Sequence, residues 1–261
     1  NTDTGVALDN GAQIINKVAS GSASGNLVLT GLTNSTTRAG FGLIKANIEN
    51  TSANGGIQIA ANNGDLRANY GQANTIINAG SGAVVLTAGP SSATDAGAIN
   101  GTNLTINQNG NGGVSVLTSG TGNVTAPKIV NAGTGSVVVA AGTAIAAGTG
   151  TGGQVKTVSG NTITQNSTGK TYIYTGNATD TGALSNLGGF SNGLFLSTIG
   201  TDAKNAASNA AFGSTISGGA NAQVMFREKV TITNGLVGTT LEKTYGDAKT
   251  ENTVTAKADL L

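Results

Sequence analysis

Short runs of β-branched and aliphatic residues alternate with breaks rich in glycine and asparagine along most of this chain. From Gly11 to about Thr175 the runs include Leu27–Thr30, Leu43–Ile48, Ile57–Ala60, Thr75–Asn78, Val84–Thr87, Leu104–Asn107, Val114–Thr118, Ile129–Asn131, Val137–Ala140, Gln154–Val158, Thr162–Gln165 and Thr171–Thr175. Each is about 3–6 residues long and bounded by Gly or Asn, which is how strands read in a sequence. Many alternate, with Leu104 and Ile106 set against Thr105 and Asn107, so one face of each strand is buried. The separators N-G, N-N-G-D, S-G and T-G supply the left-handed backbone of tight turns at little steric cost.

The pattern also repeats. Residues 76–89 read I-I-N-A-G-S-G-A-V-V-L-T-A-G and residues 129–142 read I-V-N-A-G-T-G-S-V-V-V-A-A-G. The offset of about 53 residues is too short for a repeated globular domain and suits a few turns of a solenoid. A looser echo links Asn54–Ile59 (N-G-G-I-Q-I) with Asn111–Val116 (N-G-G-V-S-V). Strand spacing of this kind would also suit a sandwich or barrel, but the repeat favours an all-β solenoid, each coil burying the apolar side of the next. Residues 1–175 are read as the rod; at roughly 20 residues per coil and ~4.8 Å between coils, the roughly 165 residues of uniform pattern would form about eight coils, on the order of 40 Å long. Val84 and Val137 would point one way and Val85 and Val138 the other. Asn78 and Asn131, equivalent within the repeated phrase, are the candidates for a stacked amide ladder.

Beyond Thr175 the texture changes. Four of the five Phe residues lie past residue 180. Residues 176–242 read as an irregular, β-containing capping segment, with a short helix expected over 202–212, where Asp202 can cap an alanine-rich stretch. Gln223–Thr233 reads as a strand. Residues 243–261 end in T-V-T-A-K-A-D-L-L, whose Val254, Ala256, Ala258 and Leu260 alternate with polar neighbours and form a candidate assembly strand.

Composition narrows the function. Charged residues are 10% of the chain against the usual ~25%, the formal net charge is +1, and there are 42 Gly. The near-neutral balance offers no basic stripe for nucleic acid. No stretch approaches the ~18 apolar residues of a membrane span. The opening N-T-D-T-G-V-A-L-D-N-G has no basic-then-apolar leader and reads as the interior of a longer protein or a mature N-terminus. No capping helix is read before Ala12.

The chain has no His and no Cys. That removes Ser-His and Cys-His nucleophile arrangements and Cys/His zinc sites. Glu49, Asp65 and Asp95 are scattered along the rod, and Glu228, Glu242, Asp247 and Glu251 sit among Arg227, Lys229, Lys243 and Lys249, as on a solvated face. N-N-G-D at Asn62–Asp65 reads as a turn rather than a calcium loop. Sequons stand at Asn34, Asn50, Asn103, Asn123, Asn166 and Asn177, about as many as chance supplies in a chain this rich in Asn, Ser and Thr. T-N-S-T-T at Thr33–Thr37 lacks the regular spacing of an ice-binding face. No enzyme, cofactor or metal is therefore expected.

Several phrases resemble secreted exoproteins of the filamentous haemagglutinin kind, exported by two-partner secretion. Thr171–Gly188 (T-Y-I-Y-T-G-N-A-T-D-T-G-A-L-S-N-L-G) looks like the segment preceding YDG-type (MBG) repeats, Phe226–Val230 (F-R-E-K-V) resembles the strand that follows it, and Lys243, Thr244, Tyr245, Gly246 and Asp247 match the motif that opens such a module. The resemblance is specific over about 171–250 and compositional before it. It implies a right-handed parallel β-helix, an extracellular or bacterial cell-surface location, and an internal or truncated piece of a long rod.

The expected function is thus a structural, non-catalytic, adhesin-type rod for attachment or matrix. Its partners would be a host or cell-surface receptor or a glycan. The alternative is a filament subunit whose partner is itself, growing head-to-tail through strand edges or by complementation with Thr253–Leu261. A glycan-binding β-helix would use exposed Arg67, Tyr70 or Tyr172.

Overall fold

A computed structural model describes residues 4–8, 11–16, 25–32, 39–52, 54–68, 74–89, 97–177, 206–207, 209–216, 219 and 221–228. The chain winds through three strands per coil. The first coil is β1 (Thr4–Leu8), β2 (Gln13–Asn16) and β3 (Leu27–Leu32), and the second is β4 (Ala39–Leu43), β5 (Asn47–Asn50) and β6 (Ile57–Asn62). The third holds β7 (Asp65–Arg67), β8 (Thr75–Ala79) and β9 (Val84–Ala88), and the fourth β10 (Ile99–Asn100), β11 (Leu104–Gln108) and β12 (Val114–Thr118). The fifth is β13 (Val124–Thr125), β14 (Lys128–Asn131) and β15 (Val137–Ala140), and the sixth β16 (Val155–Lys156), β17 (Ile163–Gln165) and β18 (Thr171–Thr175). Two further strands, β19 (Ala206–Ala207) and β20 (Ala222–Phe226), follow.

Every third strand pairs, and every pairing is parallel. The first sheet runs β1-β4-β7-β10-β13-β16, the second β2-β5-β8-β11-β14-β17, and the third β3-β6-β9-β12-β15-β18-β20-β19. This is a parallel β-helix. Its core consists of columns of identical or similar side chains, one per coil. Ile48, Ile77, Ile106 and Ile129 stack in the second sheet. Ile59, Leu86, Val116, Val139 and Ile173 stack in the third. Phe41, Leu66, Ile99, Val124 and Val155 fill the first. All are buried in one continuous cluster. Branched aliphatics suit this narrow interior because each packs on its own kind one coil away.

The coils are larger and fewer than expected. Leu27, Ile57, Val84, Val114, Val137 and Thr171 occupy one column, giving six coils of about 29 residues in place of eight of ~20. The repeated phrase therefore recurs two coils on, in the third coil and the fifth. In the third sheet its register holds, with Val84 above Val114 and Val137. Val84 and Val137 are buried while Val85 and Val138 lie on the outer face, as the pattern predicts. In the second sheet it slips by one, because the corner from Ile77 to Val84 is one residue shorter than that from Ile129 to Val137.

The slip corrects the proposed ladder. Asn78 lies between Glu49 and Asn107 on the outer face, whereas Asn131 lies inside, between Gln108 and Gln165. A shift of one residue turns a strand's side chains to the opposite face. Within the span expected as helix, Ala206–Ala207 is a strand paired with β20, because its backbone finds partners on a sheet edge that no isolated short helix could match. Residues 202–205 and 208, the candidate assembly strand 253–261, the 243–247 motif and Tyr70 lie outside the described residues.

Candidate functional site

The corner between the second and third sheets is built from two stacked columns. One is an interior amide column of Asn50, Gln108, Asn131 and Gln165, interrupted by Ala79. Asn50, Gln108 and Asn131 are buried, and each amide bonds the main chain of the turn that follows it. Asn50 Nδ2 donates to Gly56 O at 2.8 Å and to Gly25 O at 2.9 Å, and Asn50 Oδ1 accepts from Ser52 Oγ at 2.7 Å. Gln108 Nε2 donates to Gly82 O of the coil before, and Gln108 Oε1 accepts from Gly110 N at 2.7 Å. Asn131 Nδ2 donates to Gly135 O at 2.6 Å, the same carbonyl that receives Gln165 Nε2 from the next coil at 2.8 Å. A buried polar side chain is tolerated here because it satisfies turn carbonyls that no strand can reach.

The second column is glycine. A Cβ on Gly82 would fall on Gly55, one on Gly112 would fall on Gly82, and one on Gly135 would fall on Gly112. Glycine is required at this corner for close backbone approach between coils. The outer Asn ladder is a separate feature, with Asn107 Nδ2 donating to Asn78 Oδ1 at 2.8 Å.

The described acidic and aromatic residues among those singled out in the sequence are dispersed. Asn62–Asp65 is the expected turn, with Asn63 at φ 57° between β6 and β7. Asp65 pairs with Arg67 at 2.6 Å and accepts from Ala98 N at 2.8 Å, a structural arrangement across coils. Arg67 lies on the first sheet and Tyr172 on the third, so they do not converge. Tyr172 stands 6.4 Å from Tyr174, which meets the half-exposed Phe212 edge-on at 5.1 Å. Burial, with Tyr172 adding to it, pushes the Tyr174 hydroxyl up to about 12, and that hydroxyl donates to Ser214 O at 2.8 Å. Among the described residues no group of three or more acidic side chains is placed to hold a metal ion, and no helix is long and apolar enough to cross a membrane.

The most unusual side chain is Arg227, which its charged neighbours in sequence suggest for a solvated face and which is 2% exposed. Its Nη1 donates to Ala141 O and its Nη2 to Gly152 O and, at 3.0 Å, to Gly153 O. Its Nε is buried without a hydrogen-bond partner among the described residues. Burial lowers the pKa of the guanidinium from its ordinary value. The four residues Gln223 to Phe226, at the end of β20, are all buried, so alternation fails there. The outer face is covered by a second apolar cluster of Ala140, Tyr174, Ala207, Ala210 and Met225. The only signal in the sequence is a cation directly after an unbroken V-M-F.

Comparison with protein-family models, with curated proteins and with solved structures finds no match to this chain.

Proposed function

We propose that this chain is a structural, non-catalytic rod of the extracellular adhesin type, serving attachment or matrix by reach and display. The observation that supports this reading is one apolar core running through six stacked coils, with all three ladders parallel. Such a stack resists bending because each coil is hydrogen-bonded to its neighbours on three sides. Coil length varies while the strands keep their pairing, with one register shift between Ala39 and Phe41, so length differences are absorbed mainly at corners, where contact loops can be carried without disturbing the core.

One observation favours the filament alternative. Val6, Leu8, Leu27 and Leu29 are only partly buried in the first coil, whereas the residues stacked on them in the second are fully buried. That end would gain from a further coil, including one from a second copy. Electron microscopy of the full chain across a concentration range, with mass by light scattering and a cell-surface or glycan-array binding assay, separates the readings. The rod proposal expects short monodisperse particles that bind a surface. Long uniform fibres would overturn it in favour of the filament, and monodisperse particles that bind no surface or glycan would leave the adhesive role unsupported.

A further inference from the structure

The third sheet is two strands longer than the other two. Among the described residues the first and second sheets end at β16 and β17, while β20 adds to the parallel edge of β18 after an excursion of about 46 residues from Thr175 to Ala222. Among the described residues β20 has no companion strand in the first or second sheet. It is a strand laid across the end of one face, on the edge that would otherwise be available to pair. Its own far edge is covered in turn: β19 pairs with Val224 and Met225, Ala210 N donates to Phe226 O at 3.0 Å, and Asn209 N donates to Glu228 O at 2.7 Å.

What holds this segment is a second set of contacts, on a different element. Residues 142–153 form a long corner between β15 and β16 whose two ends are close together, since a Cβ on Gly153 would lie 2.9 Å from Gly142 N. The Arg227 guanidinium sits across that neck, bonding Ala141 and Gly142 on one side and Gly152 and Gly153 on the other. The loop returns the contact, with Gly148 N donating to Arg227 O at 2.6 Å and Gly148 bridging to Glu228. Arg227 N and Glu228 N donate to Thr175 O and Gly176 O, both at 2.9 Å. The guanidinium's partners among the described residues are main-chain carbonyls at the two ends of this loop. A planar cation with a fixed fork of donors can join two such turns at once, which an ammonium cannot.

We propose that residues 222–228 are a strap, pinned by Arg227 into the 142–153 loop, that covers the edge of β18 and keeps this end of the stack from accepting a strand of a second copy. The inference is independent of whether the rod is adhesive. It assigns the two ends different roles: one with the edge of its third sheet covered by the chain itself, the other with a partly covered core. Losing the pin removes several charge-assisted hydrogen bonds at once and takes the donor from the Ala141, Gly152 and Gly153 carbonyls, so the strap opens without unfolding the coils beneath it.

The test uses the full chain, unmodified and as Arg227→Met and Arg227→Lys. Residue-resolved hydrogen exchange follows the amides of Gly148, Asn209, Ala210, Arg227 and Glu228 against those of Ile57, Val84 and Val114, with mass followed by light scattering over concentration. In the unmodified chain the five strap amides should exchange together and faster than the coil amides. In Arg227→Met their exchange should rise roughly a hundredfold while the coil amides hold, and the mass should become concentration-dependent. Arg227→Lys should fall between, because one ammonium cannot span both turns. Unchanged strap exchange in Arg227→Met would overturn the pin. Strap opening with a mass that stays monomeric would overturn the edge-covering role. If Arg227→Met does not fold, strap amides in the unmodified chain that exchange independently of one another overturn the single strap.

Discussion

Replacing Gly135 by Ala should cost far more than one methyl group suggests, because the corner leaves no room between coils. A Cβ there falls on the carbonyl carbon and oxygen of Gly112 and lies 2.5 Å from Gly113 N, where ordinary contact begins at 3.4 Å. The fourth and fifth coils would have to separate locally by about 1 Å, against a normal spacing of ~4.8 Å. The nearest ladder bond, Val114 N to Ser136 O at 3.0 Å, would stretch out of hydrogen-bonding range. Gly135 O is also the shared acceptor of Asn131 and Gln165, so both interior amides would be displaced. Overpacking of about 1–3 kcal/mol and about 1 kcal/mol for each of the three weakened bonds give a loss of about 4–6 kcal/mol. For a chain of this size that lowers Tm by on the order of 10 °C. Gly160→Ala is the control. Its φ is +88°, with nothing within 4 Å of the position a methyl group would take, so only left-handed strain of about 1–2 kcal/mol applies, partly offset in the unfolded chain. Thermal and urea unfolding by circular dichroism would measure both. Equal losses in the two variants, or a smaller loss for Gly135→Ala, would refute close approach as the reason for glycine at this corner.

The two asparagines of the repeated phrase should behave unequally. Asn131→Ala strips the Gly135 carbonyl and the Gly133 amide of a buried partner and should cost about 1–3 kcal/mol, whereas Asn78→Ala on the outer face should cost no more than about 1 kcal/mol; urea midpoints of the two variants compare them. Tyr174 should make the fold sensitive to alkali. Its folded pKa of about 12 lies above the ordinary tyrosine value of 10.0, so the folded state holds the proton longer and the stabilisation is fully present below pH 10 and lost as pH rises towards 12. The loss should reach about 2–3 kcal/mol. Urea titrations between pH 9 and 12 should show that slope in the unmodified chain and a shallower one in Tyr174→Phe; parallel slopes would refute the assignment.

The β-solenoid is legible in the sequence because two signals agree: period-two alternation in short β-branched runs, and glycine or asparagine at most breaks. Coil size is not legible. Spacing between strands shows where the chain turns but not how many turns close a coil, and three strands with corners of unequal length need about 29 residues. The amide column is half legible. Asn131 does stack as an amide, but its partners are Gln108 and Gln165, at positions that a repeat of identical letters does not align. A single-residue difference at one corner hides the register while leaving the repeat intact. Arg227 is hidden for a different reason. Its burial follows from the two ends of the 142–153 loop, whose carbonyls surround the guanidinium from a segment distant in sequence.

The corners differ in what they permit. From the second coil onward, the passage from the second sheet to the third takes only about four to six residues and carries both the amide and the glycine columns. Its glycines and amides contact the coil above or below, so sequence change at this corner is constrained through the whole stack. The passage from the third sheet to the first has a close contact of its own, a Cβ on Gly122 falling on Gly97 one coil away, but its length is not fixed. It shrinks to a tight turn between β6 and β7 and swells to the 142–153 loop between β15 and β16 while the ladders on either side keep their pairing. From the second coil to the sixth, the longest excursions are thus confined to one side of the triangular cross-section. If the rod engages a surface through loops, that side is where the fold allows them to differ, and the strap shows the chain already using one such loop as a catch for its own closing strand.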